Sequence, residues 1–180
     1  PPVCVEIHLS GGLPSFTIVG LPEAAVRESR ERVRSALINS GFDFPARRIT
    51  ANLAPADIPK QGGRFDLPIA LGILAASGQI KPAAADLPGE YLGELGLGGE
   101  LRSVTGVLPS VLAAKSSNCT VMLPEANLAE ATLVEGASLL ATESLIQAAA
   151  HLSGSVPIAE QTGGQSPLQP KGRAVGRDLG

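Results

Sequence analysis

Aromatic side chains are scarce in this sequence: only 3% of its 180 residues are aromatic, namely four Phe, one Tyr and no Trp. Base stacking on aromatic rings is a major source of affinity for single-stranded nucleic acid, so the composition argues against binding that depends on stacking. The net charge of −3 also provides no overall attraction to phosphates. Any contact with nucleic acid would therefore rest almost wholly on phosphates and would require a local basic patch.

Cysteine and histidine are equally rare, with two of each. Cys4 and Cys119 are far apart and form no CxxC pair, which favours buried thiols in a reducing cytosol over a disulfide or a zinc site. His8 and His151 are isolated, with no other ligand at metal-binding spacing. No run approaches the roughly 18 apolar residues that a membrane span needs. The sequence therefore predicts a cytoplasmic protein with no metal site and no membrane partner.

Two periodicities divide the rest of the chain into strands and helices. The segments "VCVEIHL" and "SFTIVGL" alternate apolar and polar residues around Gly11 and Gly12, which predicts a hairpin. The segment from Pro22 to Ser40 carries one apolar helical face, and Gly41 is suited to end it in a left-handed conformation. The later segments predict a strand in "RRITANL", an apolar helix "LPIALGILAAS" capped by Asp66, two strands joined at Gly98-Gly99, helices over 105–116, 124–134 and 143–152, and strands in "CTVML" and "SLLAT".

These elements predict one domain over residues 1–153, followed by a flexible linker over residues 154–180. The predicted linker contains six Gly and three Pro among 27 residues and no aromatic residue. Within the domain, strands occur in adjacent pairs between helices. This order favours an α+β fold, with helices packed on a mixed sheet, over an alternating parallel sheet.

Basic residues in two segments are the candidate binding residues. Arg27, Arg30 and Arg34 recur at i, i+3 and i+7 on one face of the first helix and can form a ridge that contacts phosphates. Glutamates interleave with them, and i to i+4 pairs such as Glu23–Arg27 favour a solvated, salt-bridged face instead. Four further basic residues surround the next strand and its following loop: Arg47, Arg48, Lys60 and Arg64.

The segment "PKQGGRFDLPIA" has the composition of a phosphate-binding loop but not its order. A P-loop requires GxxxxGK followed by Ser or Thr, whereas here Lys60 precedes the glycines and Arg64 follows them. We therefore expect no nucleotide site and no cofactor in this chain. Gly62 and Gly63 are explained by a sharp turn between a strand and a helix.

A long segment carries a specific resemblance: "VEIHLSGGLPSFTIVGLPEAAVRESRERVRSALINSGFDFPARRITANLAPADIPKQGGRFDLPIALGILAASGQI". It resembles the amino-terminal domain of the ComM/YifB family of Mg-chelatase-like AAA+ ATPases, and the resemblance continues through "GELGLGGELRSVTGVLPSVLAA" to about Leu152. It implies the two-layer fold of the Lon proteolytic domain and of ribosomal protein S5 domain 2. It also implies a short segment before this chain and a hexameric ATPase module after it, which would bind ATP and Mg²⁺. Members of the family are linked to competence, DNA uptake and branch migration. The first residue is Pro1 rather than Met, so we expect a fragment or a processed product.

The resemblance also bears on catalysis. Lon-type proteases use a serine activated by a lysine amine, and the matching positions here hold Arg64 and Leu108. Lys60 has no serine to activate, and Ser77 and Ser110 lie within predicted helices. The resemblance therefore implies a non-proteolytic accessory domain with no catalytic residue, which positions DNA or neighbouring subunits of a hexameric ring. The alternative is a degenerate serine–lysine peptidase or a chaperone-like protein-binding domain.

Three partners suit Arg64: a phosphate backbone, a carboxylate of a neighbouring subunit, or Asp66 nearby in the same chain. We expect the isolated chain to be mostly monomeric and to bind DNA weakly.

Overall fold

In the computed structural model, which describes residues 3–55, 62–82 and 89–164, the first three strands form one mixed sheet. The central strand β3 (Arg48–Ala54) is antiparallel to β1 (Cys4–Ser10) and parallel to β2 (Ser15–Val19). One side of β3 is fully buried, through Ile49, Ala51 and Leu53, as its alternation predicted.

The predicted hairpin between β1 and β2 is wrong because β3 lies between them. Ser10 and Ser15 both pair with Arg48, on opposite sides of β3. The connection around Gly11 and Gly12 therefore spans two strand spacings, about 10 Å. Alternation in the sequence determines which face of a strand is buried but does not identify its neighbour.

Two helices cover the buried face of this sheet. α1 (Glu23–Asn39) follows Pro22, and Gly41 with φ of +86° lies just beyond its end, as predicted. α2 (Asp66–Ala76) is apolar on nearly all sides and crosses β1 where Gly72 leaves room for Ile7. A helix buried on all sides shows no amphipathic stripe, and α2 accordingly lies at the centre of the larger apolar core.

The second half of the chain builds a second mixed sheet. Its strands lie in the order β4 (Glu90–Tyr91), β7 (Val121–Pro124), β8 (Ser138–Thr142) and β9 (Gln161–Thr162), with β9 antiparallel to the other three. A separate hairpin joins β5 (Glu94–Leu95) to β6 (Leu101–Arg102). The helices are α3 (Val107–Ser116), α4 (Leu128–Ala131) and α5 (Leu145–Leu152), and 3-10 turns span Gly62–Phe65 and Glu125–Asn127. The fold is α+β, as predicted.

Three local predictions need correction. The predicted helix over 124–134 is a 3-10 turn followed by the single turn α4. Gly106, with φ of +74°, precedes α3 in place of the predicted cap Thr105. The strand predicted before Gly98-Gly99 is divided, because β4 joins the second sheet and only β5 forms the hairpin.

The predicted linker begins inside the folded chain. The backbone N–H of Ile158 donates to His151 Nδ1 at 2.8 Å, and the N–H of Gly163 donates to the carbonyl of Ala137 at 2.8 Å. Residues 154–164 therefore belong to the fold, whereas residues 165–180 lie outside the described part of the chain. No helix in the described ranges has the length and apolar character needed to span a bilayer.

Candidate nucleic-acid interface

Two groups of arginines that are separate in sequence meet at one end of the first sheet. Arg30 Nη1 donates to the carbonyl of Phe16 in β2 at 3.1 Å, and the N–H of the preceding Ser15 donates to the carbonyl of Arg47 at 3.2 Å. The arginine side of α1 therefore lies beside the start of β3. We call this surface the arginine rim; its five members are all exposed, namely Arg27, Arg30, Arg34, Arg47 and Arg48.

An aromatic pair supports the rim. The rings of Phe16 and Phe44 are tilted by 51° with centroids 5.6 Å apart, and Arg34 Cζ lies 5.4 Å from the Phe44 centroid. Cation–π contacts at exposed sites contribute about 0.5–1 kcal/mol, enough to favour one guanidinium position without fixing it. Strand alternation places Arg48 on the side of the sheet opposite the buried Ile49, whereas Arg47 lies in the bend that precedes β3.

None of the ion pairs between described side chains involves the arginine rim. Glu28 lies 3.7 Å from Arg32, and Glu31 accepts a hydrogen bond from Ser35. The predicted pair Glu23–Arg27 stays a prediction, because the side chain of Glu23 is outside the described part of the structure.

Arg64 has its side-chain partner outside this rim. It precedes α2, and its Nη2 donates to Ser110 Oγ in α3. Lys60 lies outside the described residues, so the structure does not test its place in the predicted basic cluster.

The surroundings of Arg64 are half-buried and include an acidic neighbour. Burial lowers the pKa of the Arg64 guanidinium, and the nearby charge of Glu90 opposes that shift. Burial raises the pKa of Glu90, against the positive charge of Arg64. A guanidinium remains protonated in proteins and offers only donors, so Arg64 cannot remove a proton from Ser110.

Ser77, Ser110 and Leu108, the residues considered for catalysis, lie at the end of helix α2 or within helix α3. Ser110 lies in α3, as predicted, whereas Ser77 follows the last residue of α2 and donates to the carbonyl of Leu74. Leu108 packs against the second apolar core. Within the described residues, no three His, Cys, Asp or Glu side chains are placed to hold a metal ion.

Asp66 has a different role from the predicted helix cap. Its fully buried carboxylate accepts hydrogen bonds from Ser29 Oγ at 2.8 Å, Arg32 Nε at 2.6 Å and the N–H of Leu95 at 3.1 Å. Loss of hydration raises the pKa of Asp66, against the hydrogen bonds from Arg32 and Ser29, which lower it. Because these donors occupy Asp66, the local pairing of Arg64 with Asp66 is wrong.

Arg32 was missed because the i, i+3, i+7 pattern selected the exposed arginines of α1. The sequence did contain a signal for Arg32. Ser29 is the one polar residue on the apolar face of that helix, between Val26 and Val33, and Arg32 follows Ser29 by three positions. Residues three apart lie on the same helix face. A polar pair beside an apolar stripe indicates a buried polar partner on another element.

Comparison with known proteins identifies related sequences. The family model described as subunit ChlI of Mg-chelatase matches residues 5–127, which defines an Mg-chelatase-like domain. The competence protein ComM of Haemophilus influenzae is 49% identical over 163 residues, which cover 89% of this chain and 32% of that protein. YifB of Escherichia coli, described as uncharacterized, is 49% identical over 154 residues, which cover 86% of this chain and 30% of that protein.

A mycobacterial protein extends the comparison. Mb2921c of Mycobacterium bovis, also described as uncharacterized, is 43% identical over 156 residues, covering 86% of this chain and 31% of its own length. The chain belongs to the ComM/YifB family of Mg-chelatase-like proteins, as its resemblance predicted. It spans about a third of the length of these curated relatives.

Proposed function

We propose that this chain is a non-proteolytic accessory domain of a hexameric AAA+ ATPase that acts on DNA in natural transformation and recombination. In this proposal the domain has the Lon-like, S5 domain 2-like scaffold, and ATP and Mg²⁺ bind in a module outside this chain. The arginine rim contacts DNA phosphates while the motor drives branch migration. The name of the relative ComM supports the link to competence.

The observation that carries the proposal is the grouping of exposed arginines in the arginine rim. Five of them lie at one end of a sheet in a chain whose net charge is −3, and none forms an ion pair with a described carboxylate. Such a local patch attracts a polyanion even when the whole chain is acidic. Each phosphate neutralised adds about 0.7–0.9 to the dependence of log affinity on log salt. We therefore expect the affinity to be weak at physiological salt and to rise steeply as the salt concentration is lowered.

A neighbouring subunit of the ring is the other partner that suits these residues. Assembly raises the effective concentration of every domain attached to the ring, so a subunit contact needs little intrinsic affinity. Replacement of a rim arginine by alanine distinguishes DNA from a neighbouring subunit as the partner. Loss of a phosphate contact weakens DNA binding, whereas loss of a subunit contact weakens ring assembly.

The test is fluorescence anisotropy with single-stranded, duplex and forked DNA over a salt series, on this chain and on the protein that contains it. We expect Arg47→Ala/Arg48→Ala to weaken binding to all three DNAs and to lower the salt slope by about 1.4–1.8, because two phosphate contacts are lost. Arg64→Ala should leave the slope unchanged, since its guanidinium lies away from the rim. The matched control is Arg102→Ala, an exposed arginine paired with Glu100.

Ring assembly is measured on the same variants of the longer protein by sedimentation. If Arg47→Ala/Arg48→Ala binds and unwinds DNA as the wild type does but no longer forms rings, the rim is a subunit interface and the DNA assignment is wrong. Normal assembly with lost fork binding supports the proposal.

A further inference from the structure

The arginine rim contains an unexpected share of the aromatic residues of the chain. Two of the five, Phe16 and Phe44, lie side by side within it, and neither is fully buried. Their rings are only partly covered by the core. The low aromatic content predicted that any nucleic-acid surface would contact phosphates alone. The fold instead places two aromatic rings next to the arginines of the rim.

Arg34 extends this aromatic pair toward solvent. Its Cζ lies 5.4 Å from the Phe44 centroid, and the residue is exposed. A guanidinium is planar and weakly hydrated, and unpaired bases stack on arginine planes as they do on aromatic rings. Arg34 and Phe44 therefore place a guanidinium plane and an aromatic ring together at the surface, and we call this pair the platform.

Donors for phosphates flank the platform. Arg30 is held in place by its hydrogen bond to the carbonyl of Phe16, and the carbonyl of Arg47 accepts from the N–H of the preceding residue, Ser15. Both are exposed and have no described carboxylate partner. A stacking platform with phosphate donors beside it is the arrangement that proteins use to bind single strands without reading their sequence.

We propose that the arginine rim is a binding site for single-stranded nucleic acid, in which an unpaired base stacks on the Arg34–Phe44 platform while Arg30 and Arg47 contact the adjoining phosphates. This inference rests on the proposed function and adds the form of nucleic acid that the rim selects. In a duplex the faces of the bases are already stacked on their neighbours, so only an unpaired base gains from the platform.

The test compares three ligands of equal length on this chain: single-stranded oligothymidine, an abasic strand with the same phosphates, and a duplex. Binding is followed by anisotropy and, for weak complexes, by NMR titration. We expect the wild type to bind oligothymidine at least about 5-fold more tightly than the abasic strand, because one stacked base contributes about 1–3 kcal/mol. Arg34→Lys keeps the positive charge but removes the planar guanidinium on which a base can stack. It should bring oligothymidine to the affinity of the abasic strand and leave the salt slope unchanged.

Phe44→Leu is an independent test that keeps an apolar side chain near Arg34, and it should weaken oligothymidine binding without altering abasic binding. Arg102→Lys, at an exposed arginine paired with Glu100, is the matched control, and thermal unfolding checks that each variant is folded. If oligothymidine and the abasic strand bind equally well to the wild type, the stacking inference fails while the phosphate proposal stands. If no nucleic acid binds, or poly-glutamate binds as tightly as the abasic strand, the rim serves another partner and both proposals fail.

Discussion

A single buried carboxylate connects the elements that surround the arginine rim and the Arg64 turn. Asp66 begins α2 and is held by Ser29 and Arg32 of α1 and by the backbone of Leu95 in β5. Arg32 is itself mostly buried, with 19% of its side chain exposed. A buried ion pair contributes little compared with an apolar replacement of both partners, but removal of one partner leaves an uncompensated charge. The position of α1 on α2 therefore depends on both partners together.

We predict that Arg32→Met lowers the free energy of unfolding by about 3 kcal/mol at neutral pH, measured by urea denaturation. Methionine keeps most of the packing of the arginine stem, so the loss reports on the charge left at Asp66. The control Arg102→Met should change stability by no more than about 0.5 kcal/mol. Its pair with Glu100 is 60% and 54% exposed. An equal effect of the two substitutions would contradict the buried role of Arg32.

The loss caused by Arg32→Met should depend on pH in a defined direction. Burial already raises the pKa of Asp66, and removal of Arg32 raises it further because the opposing hydrogen bond is lost. Between the ordinary carboxyl pKa and this raised value, the folded variant binds a proton that the unfolded chain releases. The variant should therefore regain stability relative to the wild type as the pH falls through that window. A difference that stays constant from neutral to acid pH would contradict this.

At the scale of elements, the sequence predicted the strands and helices that have strong local periodicity, but it did not predict which elements lie next to each other. The bounds of α1 and the buried side of β3 follow from residues within one segment. The insertion of β3 between β1 and β2 depends on contacts across more than 30 residues, which alternation does not encode. Likewise, the pattern of α1 identified Arg27, Arg30 and Arg34. The proximity of these arginines to Arg47 depends on the pairing of β2 with β3, which the sequence pattern did not show.

The last strand, β9, shows the same limit. Its two residues, Gln161 and Thr162, lie within a segment (154–180) rich in Gly and Pro and have no apolar alternation of their own. Their place in the sheet comes from antiparallel pairing with β8 and from the N–H of Gly164, which donates to the carbonyl of Thr132 at 2.7 Å. A side chain at Gly163 would collide with the carbonyl of Val134, so only glycine fits there. Composition alone therefore assigned a folded segment to the linker.

We predict that truncation after residue 156 leaves a less stable domain than truncation after residue 164. The shorter chain loses β9, the hydrogen bond from Ile158 to His151 and the packing of Ile158 on the core. Burial of one such side chain alone contributes about 1.5–3 kcal/mol. Urea denaturation of the two truncated chains against the full 180 residues measures the difference. Equal stability of all three would show that β9 contributes nothing to the fold.

At the scale of the whole molecule, the positions matched to a serine–lysine dyad lie on elements that touch. Arg64 precedes α2 and contacts Ser110 of α3, two residues from Leu108. In the Lon-like scaffold that we propose, a cation would stand in place of the nucleophile and an apolar side chain in place of the base. Neither Arg64 nor Leu108 can accept a proton, so neither can activate a serine. This favours an accessory role over a degenerate peptidase.

We therefore predict that this chain neither cleaves unfolded casein nor reacts with a serine-directed fluorophosphonate probe. Arg64→Ser should remain inactive as well, because it restores a hydroxyl at the turn but leaves Leu108 in place of the amine that would take its proton. The measurement is mass spectrometry of the probe-treated chain together with gel analysis of casein, with an active serine protease as the positive control. Ser110→Ala separates specific labelling from background, since Ser110 is the serine that Arg64 contacts. Covalent labelling of the wild type that disappears in Ser110→Ala, accompanied by casein cleavage, would overturn the accessory role and make the chain a peptidase with a displaced nucleophile.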